Sequence, residues 1–314
     1  MKGFLTTTVV VSPMLDSHGR PVKGLRISLT ERCNLQCDYC HREGSDTEAG
    51  VEMTPKEVGT IVRVGTGFGV GTVKLTGGEP LVRKDISDIV AAVHAVEGIR
   101  DISMTTNGVL LAGKAMELAA SGLDRVNVSL DTLDPTLYRE MTGVGNLEQV
   151  LAGLDEAIEH LSPVKLNFVL TNRNAHELDR LMDYARDSGA ILQIIELVDT
   201  NLPCDAYGGA KFSAAPLEER LSSEADMIIR RSLHARTKYK LSGGLMVEVV
   251  RSMHNSTFCA NCSRLRLTAD GHLKPCLMRK ENLTDILTPL RAGDIDACRR
   301  SFERAIVARE PFFR

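Results

Sequence analysis

Short runs rich in β-branched residues recur along the chain, separated by longer amphipathic stretches. The runs are KGLRISLT from residue 23, TVKLTGG from 72, DISMTTN from 101, RVNVSLD from 125, VKLNFVL from 164 and QIIELVD from 193. Residues 54–68, 85–96 and 146–160 carry helical periodicity between such runs, and Thr54-Pro55 reads as an N-cap followed by proline at the first helical position. Strand and helix alternating about six times predicts parallel strands joined by right-handed crossovers. The pattern changes near residue 200, and a closed eight-unit barrel typically needs about 250 residues. The expected fold is therefore α/β, a partial (βα)6 barrel of the TIM type.

From Asn201 to about Ser242 the pattern reads as irregular; strand-like pieces and a helical tail follow. This predicts a barrel domain over residues 1–235 and a smaller C-terminal domain over 236–314. The 314 residues, 43% of them apolar, suffice for one large core plus an appended module. A net charge of -3 gives no global field toward nucleic acid or anionic membrane. The opening MKGFLTTTVVVSPML reads as a strand rather than an export signal, and no window reaches the roughly 18–20 apolar residues of a membrane span. A cytoplasmic location is expected. In that reducing compartment eight cysteines, six of them in two groups, point to metal or redox chemistry. Cys204 and Cys298 stand apart and read as small buried hydrophobes.

The first group, CNLQCDYC, places Cys33, Cys37 and Cys40 where the first predicted strand ends. Loops at the carboxyl ends of parallel strands are where such folds keep their chemistry. Three thiolates on a four-iron cluster leave one iron open to a ligand. The alternative is zinc completed by His41, although zinc ligand pairs usually have residues between them and His41 adjoins Cys40. The second group, FCANCSRLRLTADGHLKPC, carries Cys259, Cys262 and Cys276. RLRLT alternates like a strand, ADG supplies a hairpin turn, and HLKPC returns, carrying Cys276 beside the first pair. Arg264 and Arg266 share a face of that strand and resemble an anion clamp, guanidinium forks matching phosphate oxygens. A structural zinc knuckle completed by His254 or His272 is the alternative here, with His272 at the predicted hairpin tip.

Cys33, Cys37 and Cys40, with Tyr39 before the last, resemble the signature of the radical S-adenosylmethionine superfamily. TGGEP, residues 76–80, resembles its segment that receives the methionine amino group of the cofactor. The resemblance implies that Tyr39, Gly78 and Ser129 contact S-adenosylmethionine. The second group, with its Arg-Leu-Arg strand, resembles a particular branch, the GTP 3′,8-cyclases of molybdenum cofactor biosynthesis, over about residues 24–277.

That resemblance implies two four-iron clusters, S-adenosylmethionine at the first and the guanine of GTP at the second. A 5′-deoxyadenosyl radical would take the ribose 3′ hydrogen, and the resulting radical would attack C8, giving (8S)-3′,8-cyclo-7,8-dihydroguanosine 5′-triphosphate. Arg26, Lys74, Thr105, Lys165, Arg264, Leu265 and Arg266 fall on GTP-contacting positions of the family. Lys74 and Lys165 lie on predicted barrel strands, where a buried cation is costly without an anion, and a triphosphate would supply one. Also implied are a flavodoxin- or ferredoxin-type reductant and hand-over of product to a cyclic pyranopterin monophosphate synthase. No nucleic-acid or membrane partner is expected, and a homodimer is left open, as is the choice of molybdenum or tungsten downstream.

Three features depart from the family's commoner pattern. Val198 stands where many relatives have a cofactor-touching methionine, EPFFR lacks the Gly-Gly tail of bacterial members, and CHREG follows the archaeal pattern. Two other classes compete. A radical peptide maturase with an auxiliary cluster would usually carry a longer set of late cysteines. A zinc-bearing nucleic-acid module would need basic patches and stacking rings, which a charge of -3 and 4% aromatics disfavour.

Overall fold

The computed structural model describes residues 13–44, 50, 52–198 and 212–314. Six parallel strands, β1 (Gly24–Ser28), β2 (Thr72–Thr76), β3 (Asp101–Thr106), β4 (Arg125–Ser129), β5 (Val164–Leu170) and β6 (Ile191–Glu196), lie side by side in chain order. They are the expected (βα)6 array. Later strands extend the sheet at both ends: β7 (Met227–Arg230), β8 (Thr237–Lys240), β9 (Met246–Val250), β10 (Arg264–Leu267), β11 (His272–Lys274) and β12 (Thr284–Asp285). β10 pairs in parallel with β1 and carries β11 and β12 outward; β9 pairs in parallel with β6 and carries β8 and β7. The result is one twelve-stranded sheet, and residue 235 falls in the turn between β7 and β8.

Alternation decides which side chain serves which purpose. In β1, β2 and β10, Leu25, Ile27, Val73, Leu75, Leu265 and Leu267 are buried in the apolar core under the helices. Arg26, Lys74, Arg264 and Arg266 occupy the intervening positions and line the inner cavity. Helix α1 (Pro55–Thr66) begins as expected, with a capping box in which the Thr54 hydroxyl accepts from Glu57 N–H and Glu57 accepts from Thr54 N–H. Helices α2 (Ile86–His94) and α5 (Leu147–His160) fill the other two expected stretches; α3 (Ala115–Ala120), α4 (Pro135–Thr142) and α6 (Leu178–Ser188) complete the layer.

The stretch read as irregular is not uniformly so. It holds helix α7 (Ala215–Glu224) and strands β7 and β8. α7 buries only Leu217 and Leu221 on its inner face, and β7 is exposed on both faces, so neither shows the periodicity that betrays a half-buried element. Cys204 and the predicted N-terminal strand before residue 13 lie outside the described residues. No helix among the described residues is long and apolar enough to cross a membrane.

The chain ends with α8 (Ser256–Ala260), α9 (Leu287–Arg291) and α10 (Ile295–Val307). α10 returns across α1: Phe302, fully buried, stacks on Phe68 with ring centroids 5.6 Å apart, and Cys298 is buried as an apolar group, as expected. Phe302 thus ties the late segment to the first helix. Phe302→Ala is expected to cost about 3–5 kcal/mol, read as a lower denaturant midpoint, whereas Met116→Ala on the exposed surface leaves the midpoint within experimental scatter.

Candidate active site

The inner faces of the strands and the loops above them enclose a cavity of about 400 Å³, lined by both cysteine groups: Cys33, Cys37 and Cys40, and Cys259, Cys262 and Cys276. The loop leaving β1 carries the first group. It is tied to the end of α4, where Gln36 N–H donates to Thr142 O at 2.9 Å and Asp38 N–H to Met141 O at 3.2 Å. The Tyr39 hydroxyl donates to Asp131, whose other oxygen accepts from Val169 N–H at 2.6 Å. Burial raises the Asp131 carboxyl to about 6.

The double glycine after β2 has a visible task. Gly78 N–H donates to Thr30 O at 2.7 Å and Glu79 N–H to Arg32 O at 2.8 Å, so TGGEP packs directly on the backbone entering Cys33. A Cβ on Gly78 would sit 2.2 Å from Arg32 O, and Gly77 has φ 155°. Glu79, buried, accepts from Thr106 Oγ1 at 2.7 Å and Asn107 N–H at 2.7 Å, joining the β2 and β3 loops. Burial pushes its carboxyl up to about 7 against those hydrogen bonds. Ser129, at the end of β4, and Val198 both line the cavity.

Three thiols are the donor chemistry of an iron cluster, although among the described residues no group of three or more His, Cys, Asp or Glu side chains is arranged to hold a single metal ion. None of the three is in a disulfide, all three line the cavity, and Cys33 Sγ accepts from Leu35 N–H at 3.4 Å. Burial, helped by Asp131 and Cys40, pushes the Cys37 thiol up to about 12, a penalty that a bound cation removes.

The second group stands on the α8 turn and the β10–β11 hairpin. Cys262 N–H donates to Cys259 O at 3.2 Å, and Gly271 turns the hairpin at φ 83°. Burial raises the Cys276 thiol, with Arg266 lowering it and Cys262 and Cys259 raising it further. Arg20 Nη1 donates to Cys259 O at 2.9 Å, Arg309 donates to Cys262 O, and both arginines bond Asp16, at 2.8 and 3.3 Å. Of the histidines weighed as fourth ligands, His272 lies 3.2 Å from Asp270 and His254 packs on the Phe313 ring at 4.9 Å. His41 lines the cavity and its Nδ1 has no hydrogen-bond partner among the described residues.

The register sets the cations in a row: Arg26 is paired with Lys74 on one side and Arg266 on the other. Thr105 and Arg264 line the same cavity. Leu265 does not: its side chain is in the core, so a contact from it to a ligand in the cavity comes from the main chain. Lys165 also departs from expectation. The anion that offsets its charge is part of the protein, Glu248, at 2.6 Å. Burial would raise the Glu248 carboxyl, but Arg236, Lys165 and Arg231 hold it at about 2; burial lowers Lys165 to about 8 despite Glu248.

Lys74 has no such carboxylate among the described residues. Its Nζ donates to Asn127 Oδ1 at 2.9 Å, and burial with Arg26, Arg125 and Arg264 pushes it well below its usual range. Burial, with Arg26 and Arg266, likewise depresses Arg264. An arginine stays charged regardless. Neither Lys74 nor Arg264 faces a carboxylate partner among the described residues, and an anion bound in the cavity would favour the charged form of both.

Several lining residues escaped the sequence reading. Asn127, Asn167 and Gln193 form an amide chain across β4 to β6, with Asn167 Oδ1 accepting from Asn127 at 3.1 Å and from Gln193 at 2.8 Å. Their signal was polar residues at inward strand positions. His234, stacked on Phe258 at 3.8 Å and kept neutral by burial beside Arg264 and Arg236, lies in a turn with no periodic signal. Glu43, between Arg26 and Arg266, had none either.

The family model of the radical SAM superfamily matches residues 27–185. A second, described as Molybdenum Cofactor Synthesis C, matches residues 190–313. A Methanocaldococcus jannaschii protein named probable GTP 3′,8-cyclase is 46% identical over 302 residues, 96% of this chain and 99% of its own length. A Methanothermobacter thermautotrophicus protein of the same name is 46% identical over 303 residues, 95% of this chain and 98% of its own. Among solved structures, Streptococcus suis SuiB bound to precursor peptide SuiA is similar with a TM-score of 0.63 at 18% identity, over 83% of this chain and 61% of SuiB. Native anSMEcpe with bound AdoMet gives 0.60 at 14% identity, over 89% of this chain and 82% of its own. At those identities the likeness concerns the fold alone. Superfamily membership implies a four-iron cluster and S-adenosylmethionine as cofactors. Matched by archaeal relatives along nearly its whole length, the chain belongs to the GTP 3′,8-cyclase family of the radical SAM superfamily.

Proposed function

We propose that this chain is a GTP 3′,8-cyclase whose substrate lies between the two cysteine groups, triphosphate toward the cation row and guanine toward a second four-iron cluster. The single observation that carries the site is that Lys74 and Arg264, buried and without a carboxylate partner among the described residues, line a cavity shared with both cysteine groups. A nucleoside triphosphate would supply the missing anion in a cavity lined by both cysteine groups.

Cys33, Cys37 and Cys40 would hold the cluster that binds S-adenosylmethionine, with Tyr39, Gly78 and Ser129 around that cofactor. Cys259, Cys262 and Cys276 would hold the second. When bound, the first cluster and S-adenosylmethionine supply a 5′-deoxyadenosyl radical able to take the ribose 3′ hydrogen. The chain's own part is placement. Arg26, Lys74, Arg264 and Arg266 fix the phosphates, Thr105 lines the wall beside them, and the main chain at Leu265 borders the base. Lys165, already neutralised by Glu248, acts chiefly by bracing the floor of the cavity. Closing the C3′–C8 bond leaves one electron and one proton to be delivered to the base, hence the need for a small external reductant. Hand-over of the product to a cyclic pyranopterin monophosphate synthase belongs to the same reading.

A peptide substrate is the second reading, since SuiB is solved with a peptide bound. The cationic row inside the cavity favours the polyanion.

Two measurements follow. Protein reconstituted without oxygen should hold about eight irons per chain, and a Cys259→Ser/Cys262→Ser/Cys276→Ser variant about four, retaining S-adenosylmethionine cleavage while losing GTP cyclisation. Zinc in place of iron would reject the cluster assignment. Separately, Lys74→Ala should weaken GTP binding by roughly 10–100-fold without lowering the melting temperature, because it removes a phosphate ligand that pairs with no carboxylate among the described residues. Lys165→Ala should instead lower the melting temperature, because it strips a partner from buried Glu248. Equal effects of the two on GTP affinity would contradict this division of roles.

A further inference from the structure

Glu43 lies three residues beyond Cys40 and lines the same cavity. Its carboxylate is held between two guanidiniums, one oxygen on Arg26 Nη2 and the other 2.6 Å from Arg266 Nη1, with Thr76 Oγ1 3.2 Å from the first. Those are the arginines placed above on the triphosphate. A carboxylate bridging two guanidinium forks has the geometry that a phosphate would adopt. The backbone beneath it is strained: Arg42, Glu43 and Gly44 have φ of 45°, 50° and 67°, and the first two carry side chains. The same loop touches the second cysteine group. A Cβ on Gly44 would meet Leu277 O, next to Cys276, at 2.6 Å, and Arg266 stands on the strand that follows Cys262.

We propose that Glu43 is an internal substitute for phosphate: it closes the Arg26–Arg266 pair when the site holds no nucleotide, and a phosphate oxygen of GTP replaces it. The inference rests on the triphosphate site proposed above. Arg26 is the register neighbour of Lys74, so a polyphosphate bound at Lys74 and Arg264 reaches Arg26 next. There it meets a carboxylate, and two anions on one guanidinium pair repel. Arg26 Nε, buried and without a hydrogen-bond partner among the described residues, is a donor open to the incoming group. Exchange relieves the left-handed loop and moves the chain that follows Cys40, so occupancy of the nucleotide site is felt at the first cysteine group. It also makes Glu43 a specificity determinant, because only a ligand carrying enough negative charge displaces it.

The test is isothermal titration of GTP and of inorganic triphosphate into anaerobically reconstituted wild-type protein and Glu43→Gln, with Glu196→Gln as the control. Glu196 also lines the cavity but bonds Ala214 N–H and not the guanidinium pair. Glu43→Gln should bind both ligands more tightly, by about tenfold, the size of one lost charge-assisted competitor, while Glu196→Gln changes little. Unchanged or weaker binding by Glu43→Gln, or an equal gain in Glu196→Gln, overturns the exchange. Amide hydrogen exchange of wild-type protein gives an answer without any substitution: saturation with GTP should speed exchange across residues 41–44, and slowed or unaltered exchange there overturns it. Wild-type protein that binds neither ligand, or binds both equally well after Arg264→Ala, would instead defeat the triphosphate site itself.

Discussion

Parallel pairing of β10, β1 and β2 puts Arg266, Arg26 and Lys74 shoulder to shoulder on one inner face. Adjacent strands lie about 4.8 Å apart, so three cations in register repel strongly wherever water is scarce. The same strands cannot relax away, since Leu265, Leu267, Leu25, Ile27, Val73 and Leu75 anchor their other face in the core. Burial of those six side chains holds the charges together, and the charges demand an anion. A carboxylate from the loop meets part of that demand; a polyphosphate from solution would meet the rest.

The sheet's two ends explain how distant cysteines come to share a cavity. The first group leaves the carboxyl end of β1, while the second flanks β10, which joins the same strand from the late part of the chain. Arg20 and Arg309, drawn from opposite ends of the sequence onto Asp16, then grip the carbonyls of Cys259 and Cys262. These arginines donate to main-chain oxygens and so fix the turn that carries Cys259 and Cys262. At the other end β9 seats Glu248 beneath Lys165, closing that side with internal charge.

Much of this was legible in the sequence because it is periodic or punctuated. Six β-branched runs gave the strands, Thr54-Pro55 gave a helix start, and Asp270-Gly271 gave the turn that returns Cys276. Arg264 and Arg266 fell on one face by alternation alone. What stayed hidden depends on contacts between remote segments. Nothing near Lys165 announces that its counter-ion is Glu248, 83 residues on. Glu43 sits in a loop whose backbone no pattern encodes, and β7, exposed on both faces, has no alternation to read. Leu265 was read as a ligand contact by resemblance, but alternation sends its side chain to the core.

The most direct measurement is a crystal structure of the anaerobically reconstituted protein with GTP. The account predicts the triphosphate within hydrogen-bonding distance of Lys74, Arg26 and Arg264, and the guanine against the cluster held by Cys259, Cys262 and Cys276. A nucleotide lying outside the cavity, or phosphates on Lys165 with Lys74 and Arg264 left unengaged, would contradict it.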